Sequence, residues 1–226
     1  KAANNNTIAL KMYDLQTNTC LQTITVSGIT LTTTHANTIT FGQFYNENDT
    51  LPLLYIPSGY RDGNGIGYVY VVRFSGTDGN MSGTIVQTIS VNIGGWFEWI
   101  CEGQDSNYAW VKYNGFDFAK IELPDILEPT ATVTVIKDAV DSFSGAQIKL
   151  PNGVMSSSTQ GCMYNNGRIW YVSGVPQNAA EGEASCYLSA FNVRSQKREF
   201  VVFLMDIGLT AGTDQWHEPE GVFIYD

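Results

Sequence analysis

The densest set of reactive side chains in the sequence is the stretch DQWHEPE, which gathers Asp214, Trp216, His217, Glu218 and Glu220. Oxygen ligands with one imidazole suit a hard or borderline cation. An imidazole beside carboxylates can also move protons. The other histidine, His35, lies in a comparable polar stretch just ahead of a strand pattern. Pro219 stiffens the turn between the two glutamates, and a loop histidine is more often a plain hydrogen-bonding residue. The cluster therefore reads first as a set of ligand contacts, with no catalytic residue and no metal ligand assigned.

Other chemistries are poorly represented. GNGIG at residues 63–67 lies between two strand patterns with no helix to receive a phosphate, so nucleotide binding is excluded. G-x-S-x-G, H-E-x-x-H and Walker sequences are absent. Cys20, Cys101, Cys162 and Cys186 form no C-x-x-C pair and read as free or buried thiols. The formal charge is -10, and only RSQKR at 194–198 clusters basic residues, so a nucleic-acid partner is excluded. No apolar run reaches the roughly 20 residues of a membrane span, and no signal peptide is visible.

The elements that position these residues repeat. LQTITV at 21–26 returns as VQTISV at 86–91, an offset of 65 residues, and YDLQTNTC at 13–20 is echoed by FNVRSQKR at 191–198. Glu102-Gly103, Gln160-Gly161 and Glu220-Gly221 follow one another at spacings of 58 and 60 residues, each at the head of a strand pattern. A period near 60 suits four strands with long loops. The second unit reads as NTITFG, LPLLYIP, GYVYVVRF and TIVQTISV; the third as FEWICEG, YAWVKY, FAKIEL and ATVTVI; the fourth as GCMYNN, RIWYVS, CYLSAFNV and REFVVFLM. Residues 138–158 read as a loop, and no window reads as an amphipathic helix.

Charged residues are only 15% of the chain, and Gly, Thr, Ser, Asn and aromatic residues abound, which favours strands and tight turns. The expectation is an all-β fold: a β-propeller of four-stranded blades, four to five in number, with residues 1–226 forming a single propeller domain. The chain opens on what read as third and fourth strands and closes on a first strand, EGVFIYD. That pattern predicts a partial five-bladed ring truncated at both ends, with a four-bladed ring lacking one strand as the alternative.

QGCMYNNGRIWYVSG and EPEGVFIYD resemble the inner-strand motifs of five-bladed propellers in phage receptor-binding proteins and TagC-like proteins of Gram-positive bacteria. There a Gln-Gly or Glu-Gly pair opens a blade and an aromatic-rich second strand follows. In the HANTITFGQFYNENDTLPLLY unit Asn37 takes the corresponding place, with no Gly after it. The resemblance implies a host-attachment or cell-wall-directed protein, located in a virion tail, outside the cell or on its surface, and a homotrimer if it is a tail protein.

In such a ring Glu102, Gln160 and Glu220 have two readings. They can satisfy backbone groups of the adjacent blade, or they can ring the channel mouth and hold water, a sugar hydroxyl or a cation such as calcium. No other cofactor is called for. Loops entering each first strand share a face with loops joining strands two and three. That face would carry TTTHAN, GGWFEW, GTDQWHEPE, PSGYRDGNGIG, YNGFD and SGVPQNAAEGEAS. Aromatic rings beside amides and carboxylates suit carbohydrate. The predicted ligand contacts are His35, Asn37, Tyr60, Glu102, Gln160, Trp216, His217, Glu218 and Glu220, whereas Trp96 and Trp99 also read as packing between blades. The leading reading is a non-catalytic module that binds a bacterial surface glycan or cell-wall polymer. The alternative is an enzyme acting on such a polymer as a hydrolase, lyase or cyclotransferase, through His and Glu at the channel mouth.

Overall fold

The computed structural model describes residues 7–29, 38–59, 66–114, 116–137, 141–143, 159–173, 185–206 and 222. Among these residues the chain is all β, with fifteen strands in four open sheets and no helix. The first sheet is the hairpin β1 (Thr7–Asp14) and β2 (Thr19–Ser27). The second contains β3 (Thr40–Phe41), β4 (Leu54–Pro57), β5 (Ile66–Thr77) and β6 (Asn80–Asn92), joined antiparallel in that order. The third contains β7 (Phe97–Cys101), β8 (Tyr108–Tyr113) and β9 (Asp117–Glu122). The fourth runs β12 (Thr159–Asn165), β13 (Arg168–Ser173), β14 (Ser185–Asn192) and β15 (Lys197–Asp206).

One strand departs from the sequence reading. ATVTVI was expected to be the outer strand of the third sheet. Instead β10 (Thr130–Thr134) runs parallel to β6 and lengthens the second sheet. The short β11 (Ser142–Phe143) takes the outer place beside β9, within a stretch read as loop. Burial explains the crossing. Ala131 and Val133 alternate with Thr130, Thr132 and Thr134, and the two apolar residues pack on the core between the second and third sheets.

The sheets pack in series because their strands bury both faces. In β5, Val69 and Val71 join the core facing the third sheet, while Tyr70, Val72 and Phe74 join the core facing the first. In the third sheet, Trp99, Val111 and Ala119 face the second sheet, whereas Ile100, Trp110 and Phe118 face the fourth. Period-two geometry sends neighbouring residues to opposite faces. A strand covered on both sides therefore reads as a nearly continuous apolar run.

The repeats seen in the sequence correspond to repeated local structure. In the β1–β2 turn, the Asp14 carboxylate accepts hydrogen bonds from the amides of Gln16 (2.8 Å) and Thr17 (3.0 Å), and Asn18 is left-handed. In the β14–β15 turn, Asn192 Oδ1 accepts from the amides of Arg194 (2.9 Å) and Ser195 (3.0 Å), and Gln196 is left-handed. Asp and Asn favour such side-chain-capped turns. The two QTI glutamines also act alike, each reaching into the next part of the chain. Gln22 exchanges two hydrogen bonds with the backbone of Met81 (2.7 and 2.8 Å), and Gln87 donates to the carbonyls of Asp125 (2.7 Å) and Glu128 (2.8 Å). Asn166 and Gly167 both have positive φ, which closes the two-residue turn between β12 and β13.

Candidate functional site

The first strands of the second and third sheets run side by side. Thr38 Oγ1 donates to Glu98 Oε2 (2.7 Å), Thr40 Oγ1 donates to the Trp99 carbonyl (3.4 Å), and the Cys101 amide donates to Thr40 Oγ1 (3.1 Å). These partners are 60, 59 and 61 residues apart, so neighbouring copies of the repeat meet at equivalent positions. β12 also touches β7, which extends the relation to the fourth sheet.

This arrangement brings loops of successive sheets to one end. The amide of Phe97, where β7 starts, donates to the carbonyl of Gly59, which follows β4 (3.3 Å). Phe97 pairs across the sheet with Tyr113 at the end of β8, and the Tyr113 hydroxyl donates to the Lys137 carbonyl (3.1 Å). The half-buried Trp96 lies at this end, after the exposed Gly94. The entry to β7 and the start of the loop after β4 thus meet at this end. Trp99 does not contribute to it. The residue is 0% exposed and stacks on Tyr55 at 6.3 Å between the second and third sheets, so its role is packing.

Of the expected ligand contacts, His35, Asn37, Tyr60, Trp216, His217, Glu218 and Glu220 lie outside the described residues. Gln160 is the second residue of β12. Glu102 sits elsewhere: it follows β7 rather than opening a strand, so Glu102-Gly103 and Gln160-Gly161 mark opposite ends of their strands. Glu102 Oε1 accepts from the Trp110 indole (2.8 Å) and pairs with Lys120 Nζ (3.0 Å), while Oε2 accepts from Ser106 Oγ (2.9 Å). The Lys120 ammonium also lies 4.2 Å from the Tyr108 ring centre. Both carboxylate oxygens are thus engaged by side chains of the third sheet and its β7–β8 loop.

The cross-strand register sets Glu98 at the same place in its sheet as the bulged pair Gln160-Gly161, between Thr159 and Cys162. Phe97 pairs with Tyr113, and Thr159 pairs with Ser173, each at the end of a second strand. The residue after Thr159 is Gln160, and the residue after Phe97 is Glu98. Glu98 was missed by the motif search because no Gly follows it. The available signal was a Glu within the apolar run FEWIC and a Lys within YAWVKY. Glu98 Oε1 accepts from Lys112 Nζ (2.6 Å), and the side chains are 1% and 5% exposed. With Thr38 on Oε2, both oxygens of this buried carboxylate have a partner.

Among the described residues, no group of three or more His, Cys, Asp or Glu side chains could hold a metal ion. Cys20 is exposed, Cys101 and Cys162 are buried, and all three are free thiols. Burial pushes the Cys101 thiol up to about 12, against hydrogen bonds with Thr40 and Trp99 that act in the opposite direction. This thiol is therefore a packing group and not a nucleophile. No helix among the described residues is long and apolar enough to cross a membrane. No protein-family model matches the chain, and no curated protein matches it.

Proposed function

We propose that the chain is most of a β-propeller, a partial five-bladed ring, that serves as a non-catalytic binding module for a bacterial surface glycan or cell-wall polymer. The setting would be a phage tail or a secreted, cell-surface protein. The observation that carries this reading is the meeting of the Gly59 loop, the Gly94–Trp96 entry and the Tyr113–Lys137 contact at one end of the sheets. The same geometry, stepped by the period of about 60, would bring the segments with His35, Tyr60 and Trp216 to that end. Aromatic faces set among amides and carboxylates bind sugar C–H faces and hydroxyls. The buried acids do not argue for catalysis: Glu98 is neutralised by Lys112, and Glu102 is held by Trp110, Ser106 and Lys120.

A panel of bacterial polysaccharides and cell-wall polymers tests the reading. Wild-type chain is expected to retain at least one of them, and Trp216→Ala is expected to weaken that binding tenfold or more with Tm nearly unchanged. Absence of binding to every polymer, or chain cleavage of a bound one, would overturn it.

A further inference from the structure

The end of the sheets where Phe97 meets Gly59 carries features that packing leaves unexplained. One is Lys137. Its carbonyl accepts from the Tyr113 hydroxyl, and its ammonium lies 5.7 Å from the centre of the same ring. The side chain is exposed. The chain has 22 acidic residues against 12 Lys and Arg, and Arg73, Lys112, Lys120 and Arg168 each pair with a carboxylate. Lys137 makes no such pair among the described residues, although Asp117 stands opposite Tyr113 in β9.

The other is Gly94-Gly95. Neither residue is left-handed. A Cβ on Gly95 would meet nothing within 4 Å, and one on Gly94 would meet only the Lys137 ammonium, at 3.8 Å. Neither turn geometry nor close packing therefore calls for glycine here, and bare backbone lets another molecule approach the chain closely. β6 ends at Asn92 and β7 starts at Phe97, so both peptide groups lie outside the ladder. Among the described residues they make no backbone hydrogen bond. Unpaired amides beside an ammonium suit an oxyanion. The half-buried Trp96 follows directly, and an aromatic ring next to such a group suits the C–H face of a sugar.

We propose that Lys137 and the Gly94-Gly95 backbone form a subsite for an anionic substituent, a carboxylate or a phosphate, on the polymer bound at this end of the sheets. The inference rests on the binding reading above for the polymer and narrows it from glycans in general to acidic ones. Lys137 supplies the charge, the Tyr113 ring steadies the ammonium through a cation–π contact, and the missing side chains let the anion reach the amides.

Amide NMR on the full chain tests it, with glucose, glucuronate and a glucose phosphate as probes. One or both anions are expected to shift the Gly94 and Gly95 amide signals and the Trp96 indole signal, while glucose leaves them in place. The tighter anion identifies the substituent as carboxylate or phosphate. Lys137→Gln keeps the carbonyl that Tyr113 holds and is expected to weaken anion binding about tenfold, the worth of one hydrogen bond to a charged group. Gly95→Val is expected to abolish the shifts with Tm nearly unchanged, because the space around Gly95 is open. Glucose shifting the same signals equally, no shift with either anion, or anion binding that both variants retain would overturn the proposal. A neutral polymer held equally by wild type and Lys137→Gln would overturn it too, while leaving the binding module standing. Anion shifts in a chain that retains no polymer would instead support the subsite and sink the glycan reading.

Discussion

Among single residues, Glu98 and Lys112 bear the largest electrostatic stake. Two charges taken out of water are tolerable only while paired and hydrogen-bonded, and here Thr38 completes the set. Lys112→Met strands the carboxylate and is expected to cost about 3–5 kcal/mol in chemical denaturation. Adding Glu98→Gln should recover much of that loss, because no buried charge then remains; a double variant no better than the single one would show that packing, not charge, is at stake. Cys101 gives a second test. Burial raises its thiol to about 12 from an ordinary 9.0, so the folded state holds its proton where the unfolded state has released it. Stability should be unaffected below pH 8 and fall as pH climbs through 9 towards 12. Tyr171, raised by burial to about 12 from 10.0, adds to the same alkaline decline. Tm measured from pH 7 to 11 should drop less steeply in Cys101→Ala than in wild type, and equal slopes would remove the thiol from the account.

At the scale of elements, close approach between sheets sets the tolerances. A Cβ on Gly67, at the start of β5, would run into the Phe97 ring of β7. Gly67→Ala is expected to cost about 1–3 kcal/mol, as overpacking of a filled core does. Phe97→Leu in the same chain should recover part of the loss if the ring is the obstacle, which the midpoint of urea unfolding would report. The sequence made such elements legible where pattern and turn chemistry agree. RIWYVS became Arg168–Ser173, YAWVKY became Tyr108–Tyr113, and the YDLQTNTC echo became a shared turn geometry. It failed at ATVTVI, since alternation shows that a strand has one apolar face but not which sheet that face will meet. It failed again at Glu102-Gly103. A Gly after an acid is common to strand entries and exits, and only the register against β8 tells them apart. Glu98 went unread for a related reason. Its meaning lies in Lys112, fourteen residues away, and nothing local announces that the two strands place them opposite each other.

Over the whole molecule, the sheets touch their neighbours through three separate cores: first to second, second to third, and third to fourth. Each core depends on the two sheets that enclose it, so damage should travel along the series rather than appear everywhere at once. Phe143 is a suitable probe. Its ring stacks on Phe191 at 4.4 Å and meets Phe118 at 5.1 Å and Trp110 at 5.5 Å, all within the core between the third and fourth sheets. Phe143→Ala removes that shared ring and is expected to cost about 3–5 kcal/mol locally. Native-state hydrogen exchange should then show faster opening across β12 to β15, with β2, β4, β5 and β6 keeping their protection because Val26, Ile56, Val72 and Ile89 belong to cores the substitution does not touch. Equal loss of protection in all four sheets would mean that the first and fourth sheets are coupled by a further contact, as closure of the series into a ring would require.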